Sequence, residues 1–191
     1  MNIAIIPARG GSRRIKNKNS KIFFGKPIIS YAISTALNSK IFKEVIVSTN
    51  ESKIARISKI SGAKTYFKRP KYLSKNNVPI IDVISYVLKK LEKQRVKPKY
   101  VCCIFPISPM IKKNLLNDGL QILKEKKYDY VISVTKKTYS NQNKLYAMKN
   151  KISKNVKKSK VFYDAGQFCW GKSEAWKKKS KIFGTNSGIK I

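Results

Sequence analysis

Ile3-Ala4-Ile5-Ile6-Pro7-Ala8-Arg9-Gly10-Gly11-Ser12-Arg13-Arg14-Ile15-Lys16-Asn17-Lys18-Asn19 is the stretch on which the fold turns. The apolar run Ile3 to Ile6 reads as a first buried strand. Pro7, which lacks a backbone donor, ends it, and the chain then empties into a loop of glycine, serine and cations. Glycines let a backbone turn sharply and bring its N–H groups close to an anion. Arg9, Arg13 and Lys18 add charge where a polyphosphate could lie. The loop is not a Walker A sequence, because no Gly-Lys-Ser/Thr closes it. It is not the dinucleotide fingerprint either, because the third glycine is missing. The residues alone also allow an ordinary strand-to-helix connection with incidental charge.

Outward from this turn, apolar runs of strand length alternate with segments of helical period. Pro27 to Asn38 carries Ile28, Ile29, Ala32, Ile33, Ala36 and Leu37 on one helical face. Glu44–Ser48 reads as a buried strand, Glu51 to Ser61 as a helix stopped by Gly62, and Lys64–Lys68 as a short strand. Ile80 to Gln94 sets Ile81, Ile84, Val87, Leu88 and Leu91 on one stripe. Tyr100–Phe105 is a strand broken by Pro106 and Pro109, Leu115 to Glu125 a helix, and Tyr130–Thr135 a strand. The pattern dissolves between Thr138 and Lys160, which reads as a long loop, a flexible arm over 139–160 or a weak hairpin, and resumes from Phe162 to Trp176. A polar, glycine-bearing tail, Gly184 to Ile191, closes the chain. Such alternation predicts a single α/β domain over 1–191: a Rossmann-like, mainly parallel (mixed) sheet with helices on both faces. Its ligand site belongs on the edge where the strands end.

At 191 residues the chain is long enough to bury a real core. No run of about 18 apolar residues suggests a membrane span, and the N-terminus lacks the features of a signal peptide, so the expected location is cytoplasmic. Cys102, Cys103 and Cys169 are not spaced as a zinc site, and the chain has no histidine. The cysteines read as reduced core residues. The net charge of +34 would suit a nucleic-acid binder. Yet 37 of the 43 cations are lysine, scattered over every element. Phosphate and base readers exploit the fork of arginine, so the charge reads as composition, and nucleic acid is expected to bind only non-specifically.

Pro-Ala-Arg-x-x-Ser-Arg-x-Ile-x-x-Lys-Asn, from Pro7 to Asn19, resembles the signature of the cytidylyltransferases that activate nonulosonic (sialic-type) acids. Further landmarks follow in the family's order. Ser48-Thr49-Asn50 stands where Ser-Thr-Asp is common. Arg69-Pro70 with Leu73-Ser74 resembles a stretch lining the nucleotide pocket, with Lys75 where an acidic residue is usual. Phe105-Pro106-Ile107-Ser108-Pro109 resembles the turn beside the sugar site, and Ser133-Val134-Thr135 the strand that follows it. Asp164-Ala165-Gly166-Gln167-Phe168-Cys169-Trp170-Gly171 is similar to the pseudaminic acid cytidylyltransferase branch, although Tyr163 replaces its usual histidine. Taken alone, Arg69-Pro70 reads equally as a strand exit, and Phe168 and Trp170 as core. Gln167 then points to the opposite face.

The resemblance implies transfer of CMP from CTP to a nonulosonic acid, with release of pyrophosphate. It assigns Ala8, Arg9, Gly10, Gly11, Ser12, Arg13, Lys18, Asn19 and Arg69 to the nucleotide, with Arg13 and Lys18 as the catalytic cations. It assigns Ser108, Asp164 and Gln167 to the sugar acid. It also implies Mg²⁺ and a homodimer that exchanges an arm. The family holds its metal through a C-terminal Asp-x-Asp pair, which the 191 residues lack. The metal ligands are therefore unknown, and the chain is expected to be a truncated or degenerate member with impaired activity. Two alternatives stand beside this reading: a relative that binds CTP without turnover, and a basic nucleic-acid-binding module.

Overall fold

The computed structural model describes residues 1–12, 15–136 and 162–191. The arm expected at 139–160 and the candidate Arg13 lie outside the described residues. The elements in chain order are β1 (Asn2–Pro7), a 3₁₀ turn (Lys18–Ser20), a small antiparallel hairpin of β2 (Ile22–Phe23) and β3 (Lys26–Pro27), α1 (Ile28–Asn38), β4 (Glu44–Ser48) and α2 (Ser52–Ile60). A second 3₁₀ turn (Lys71–Ser74), α3 (Ile80–Lys93), β5 (Tyr100–Ile104), α4 (Lys113–Glu125), β6 (Tyr130–Lys136), β7 (Phe162–Lys172), α5 (Ser173–Lys178) and β8 (Ser187–Lys190) follow.

Six strands form one sheet in the order β4-β1-β5-β7-β6-β8. β1 runs parallel to β4 and β5, and β6 parallel to β8. Only β7 is reversed, antiparallel to both β5 and β6. The mixed, mainly parallel sheet expected from the strand–helix alternation is therefore present.

Strand alternation explains the two-faced core. Ala4 and Ile6 of β1, Val45 and Val47 of β4, Cys102 and Ile104 of β5, and Phe168 and Trp170 of β7 pack on one side against α1, α2 and α4. Ile3, Ile5, Ile46, Val101, Cys103 and Cys169 point the other way, against α3 and α5. Each fully buried Ile contributes about 1.5–3 kcal/mol, so the apolar run in β1 is enough to seat that strand inside the sheet, between β4 and β5. Phe168 and Trp170 are core, as their alternation suggests. Trp170 also donates from Nε1 to the Leu116 carbonyl at 3.0 Å.

Three local expectations change. Leu37, placed by period on the core face of α1, is exposed. It lies at the helix end, where a Cβ on Gly62 would meet its Cδ1 at 3.0 Å. Lys64–Lys68 makes only isolated parallel bridges to β4, at Ile46↔Lys64 and Thr49↔Lys68. The polar tail is structured: Ser187–Lys190 extends the sheet beside β6. Gly188 permits this, because a side chain there would strike the Tyr128 ring at 2.5 Å.

Candidate active site

The parallel strands β1, β4 and β5 all end on the same edge, and the chain's order makes that edge a switch point. From β1 it crosses to β4 on one side, then returns through α3 to β5 on the other. Loops diverge at such a point and leave a crevice for ligands. A cleft of ≈ 210 Å³ lies there, walled by Pro7, Arg9, Ser12, Lys18 and Asn19 from the first loop. Arg69 and the 73–78 segment form a second wall, and Phe105, Pro106 and Ile107 after β5 form a third.

The first loop is held by bonds that its sequence dictates. Gly11 has φ +67°, a conformation in which a Cβ would be strained. A Cβ on Gly10 would collide with the Glu51 carboxylate. The Gly10 N–H donates to Asn50 Oδ1 at 2.9 Å, so this amide braces the loop and is not free for a ligand. Asn17 adopts a left-handed conformation that starts the 3₁₀ turn, and Ser20 N–H donates back to the Asn17 carbonyl. The turn buries Asn19, whose Nδ2 donates to the Arg9 carbonyl at 2.8 Å. Its Oδ1 is buried without a hydrogen-bond partner, on a residue that lines the cleft. A buried acceptor left unsatisfied costs about 1–3 kcal/mol, so a donor on a bound ligand would be rewarded here.

Arg69 is only 4% exposed. Its Nε donates to Ser48 Oγ at 3.1 Å, and its Nη2 to the Ser48 carbonyl. The same carbonyl accepts the Ala8 N–H at 2.9 Å, which locks Ala8 into the core and away from the cleft. Burial, with the Arg9 charge adding to it, pushes the Arg69 guanidinium down to about 10. Among the described residues, two guanidinium groups thus face one cleft, and none of its lining residues is a carboxylate.

Ser108, Asp164 and Gln167 form a second group beside the cleft. Ser108 is buried and donates to the Gly166 carbonyl at 3.1 Å. Asp164 is exposed and accepts the Gly166 N–H at 2.8 Å. The Gln167 carbonyl accepts the Phe105 N–H at 2.9 Å, which couples this group to the third wall. Ser133, at the register shift between Ile132 and Val134, accepts the N–H groups of Gln167 at 3.3 Å and Phe168 at 3.0 Å. It thereby fixes the strand from which Gln167 projects. Sequence reasoning named the Ser133 strand without this role. It named Lys75 only as a departure from the pattern, and Asn76 and Val78, which also line the cleft, carry no signal of their own.

The described residues gather no group of three His, Cys, Asp or Glu side chains. A hard dication takes oxygen ligands. The donor set of this cleft is cationic instead and does not fit a protein-held Mg²⁺.

A cationic crevice at the switch point of a Rossmann-like sheet is what the fold presents, and comparison with known proteins gives the family. The cytidylyltransferase family profile matches residues 3–184. The chain is 33% identical to pseudaminic acid cytidylyltransferase of Campylobacter jejuni, over 98% of this chain and 85% of that protein. It is 32% identical to a Helicobacter pylori protein named as pseudaminic acid cytidylyltransferase and UDP-2,4-diacetamido-2,4,6-trideoxy-beta-L-altropyranose hydrolase, over 97% of this chain and 37% of that one. A solved CMP:2-keto-3-deoxy-manno-octonic acid synthetase complexed with CTP shares the fold at a TM-score of 0.69. That match is 19% identical and covers 94% of this chain and 77% of that one. The chain belongs to the cytidylyltransferase family.

Proposed function

We propose that the protein transfers CMP from CTP to a nonulosonic acid of the pseudaminic type, releasing pyrophosphate. The observation that carries this reading is the cleft in which Arg9, Ser12, Lys18, Asn19 and Arg69 converge against the Phe105–Ile107 wall. The near full-length likeness to pseudaminic acid cytidylyltransferases supports it.

In the reaction, a sugar hydroxyl oxygen attacks the α-phosphorus. The new C–O–P linkage forms, the bond to the β-phosphate oxygen breaks, the electron pair leaves with pyrophosphate, and the hydroxyl proton is released to water. Displacements at phosphorus need positioning and charge stabilisation more than covalent chemistry. Arg9 and Ser12 are assigned to the triphosphate, and Lys18 or Arg13 to the charge that develops on the departing pyrophosphate. Arg69 supplies positive potential from a rigid, buried position. Ser108, Asp164 and Gln167 are assigned to the sugar acid. Magnesium, expected from the resemblance, finds no carboxylate in the cleft lining; its place in this reading is as a complex with the phosphates of CTP. The supply of CTP places the reaction in the cytoplasm.

The test is pyrophosphate release with CTP, Mg²⁺ and a panel of nonulosonic acids. Release that needs all three, with pseudaminic acid preferred, supports the reading. Absence of release with every acid in the panel overturns it.

A further inference from the structure

One lysine of the cleft has no role in the reading above. Lys75 follows the 3₁₀ turn at Lys71–Ser74 in extended conformation, with φ −69° and ψ 160°, and lines the cleft opposite Arg9, Ser12 and Lys18. Among the described residues it makes no ion pair, although six other lysine–carboxylate contacts form elsewhere on the surface. With Arg9, Lys18 and Arg69 it brings four cations to a lining that, among the described residues, contains no Asp or Glu. Like charges gathered around one crevice repel one another, and a polyanion removes that repulsion on binding. A nucleoside triphosphate carries about four negative charges near neutral pH, since its terminal phosphate ionises a second time near 6.

We propose that Lys75 is a further nucleotide-contacting residue, completing a cradle of side-chain cations that holds the triphosphate without a divalent ion bound by the protein. The inference rests on reading the cleft as a CTP site and adds to it both a residue and a metal dependence. The charge that a resident dication would neutralise falls instead to Lys75 and its three neighbours. Lys75 sits on an exposed segment, so its replacement does not disturb the core.

The experiment is calorimetric titration of the purified protein with CTP at about 0.15 M salt, where long-range attraction is screened beyond about 8 Å. It is run once with Mg²⁺ and once with EDTA. Wild type is expected to bind CTP in EDTA within about threefold of its affinity with Mg²⁺. Lys75→Ala should bind about tenfold more weakly in EDTA, the cost of one charge-assisted contact, and Lys75→Glu more weakly still. Lys93→Ala, an exposed lysine at the end of α3, controls for general surface charge and should match wild type. A Lys75→Ala protein with wild-type affinity overturns the inference and leaves the CTP site intact. So does wild-type binding that collapses in EDTA. A wild type that binds CTP in neither condition overturns the CTP reading and this inference together.

Discussion

The side chain of Asn50, at the end of β4, accepts the backbone N–H of Gly10 at 2.9 Å. A residue from the second long strand thus sets the path of the loop that leaves the first. Both strands end on the same edge because they are parallel neighbours in the sheet. The bond ties the candidate phosphate loop to the rigid part of the molecule.

Asn50→Ala should therefore loosen the loop with little effect on the fold. The lost hydrogen bond is worth about 0.5–1.5 kcal/mol, so CTP affinity should fall by about three- to tenfold. Asn50→Asp keeps the acceptor and should stay within about threefold of wild type if only geometry matters. Calorimetry on the two variants checks this. Equal losses in both would show that the bond to Gly10 is not what counts.

Asn19 predicts a sharper effect. Asn19→Ala removes the Nδ2 bond to the Arg9 carbonyl and the unpartnered Oδ1 that a ligand donor would satisfy. CTP should bind at least about tenfold more weakly, as one hydrogen bond and one ligand contact are lost together. Thermal stability without ligand should fall by only a few degrees, about 2–4 °C per kcal/mol in a chain of this size.

Arg69 separates stability from binding. Burial first, and Arg9 second, depress its pKa to about 10. Between that value and the ordinary arginine range the unfolded chain holds the proton and the native protein does not. Stability from this group therefore rises with pH across that window, and at neutral pH the buried charge costs stability. Arg69→Met leaves no orphaned carbonyl, because Ala8 N–H still bonds the Ser48 carbonyl. The variant also removes the donor to the buried Ser48 Oγ, which offsets the relief of the buried charge, so the unliganded variant should stay within a few degrees of wild type. The stabilisation by CTP, about 2.7 kcal/mol at a hundred times Kd for wild type, should largely vanish. A steep fall in the Tm of the unliganded variant would contradict this account.

Ser133→Ala should act mainly on the residues assigned to the sugar acid. It leaves the buried Phe168 N–H without the acceptor that it has at 3.0 Å and lets the strand around Gln167 shift. The expected cost is about 1–3 kcal/mol of stability, with a raised KM for the acid and an unchanged KM for CTP. Steady-state kinetics with each substrate varied in turn will show whether the two sites separate in this way.

The three cysteines should be inert in the native protein. Cys102, Cys103 and Cys169 are buried, and burial raises each thiol above its usual range. A thiol-reactive dye should label none of them at neutral pH without denaturant, and all three in guanidinium. Rapid labelling of the native protein would show that the sheet opens readily.

Much of this structure was legible in the chain because local signals and tertiary structure agree. The run Ile3–Ile6 had one good place, the interior of the sheet between two parallel neighbours, and the glycine loop after Pro7 had to emerge at the strand ends. The alternation of Phe168, Cys169 and Trp170 resolved correctly into two faces. The misses depend on distant partners. Ser187–Lys190 is too polar to announce a strand and becomes one because β6 offers an open edge and Gly188 clears the Tyr128 ring. Leu37 obeys the helical period but lies beyond the reach of the sheet. Lys75 was visible only as an odd residue in a motif, because its place in the cleft depends on how the 71–78 segment folds across the strand ends. The +34 charge, the loudest feature of the composition, says little about where the cleft lies, because a few cations line it and the rest are scattered over every element.

The central claim is that the cleft after β1 is shaped for a cytidine triphosphate. The most direct test is competitive calorimetry at about 0.15 M salt, comparing CTP with UTP, GTP and inorganic tripolyphosphate. Surface attraction to polyanions is largely screened under those conditions. The account predicts one CTP per chain, held at least about tenfold tighter than the other three, a difference of about 1.4 kcal/mol. Equal affinity for all four would show only a basic surface and would contradict it.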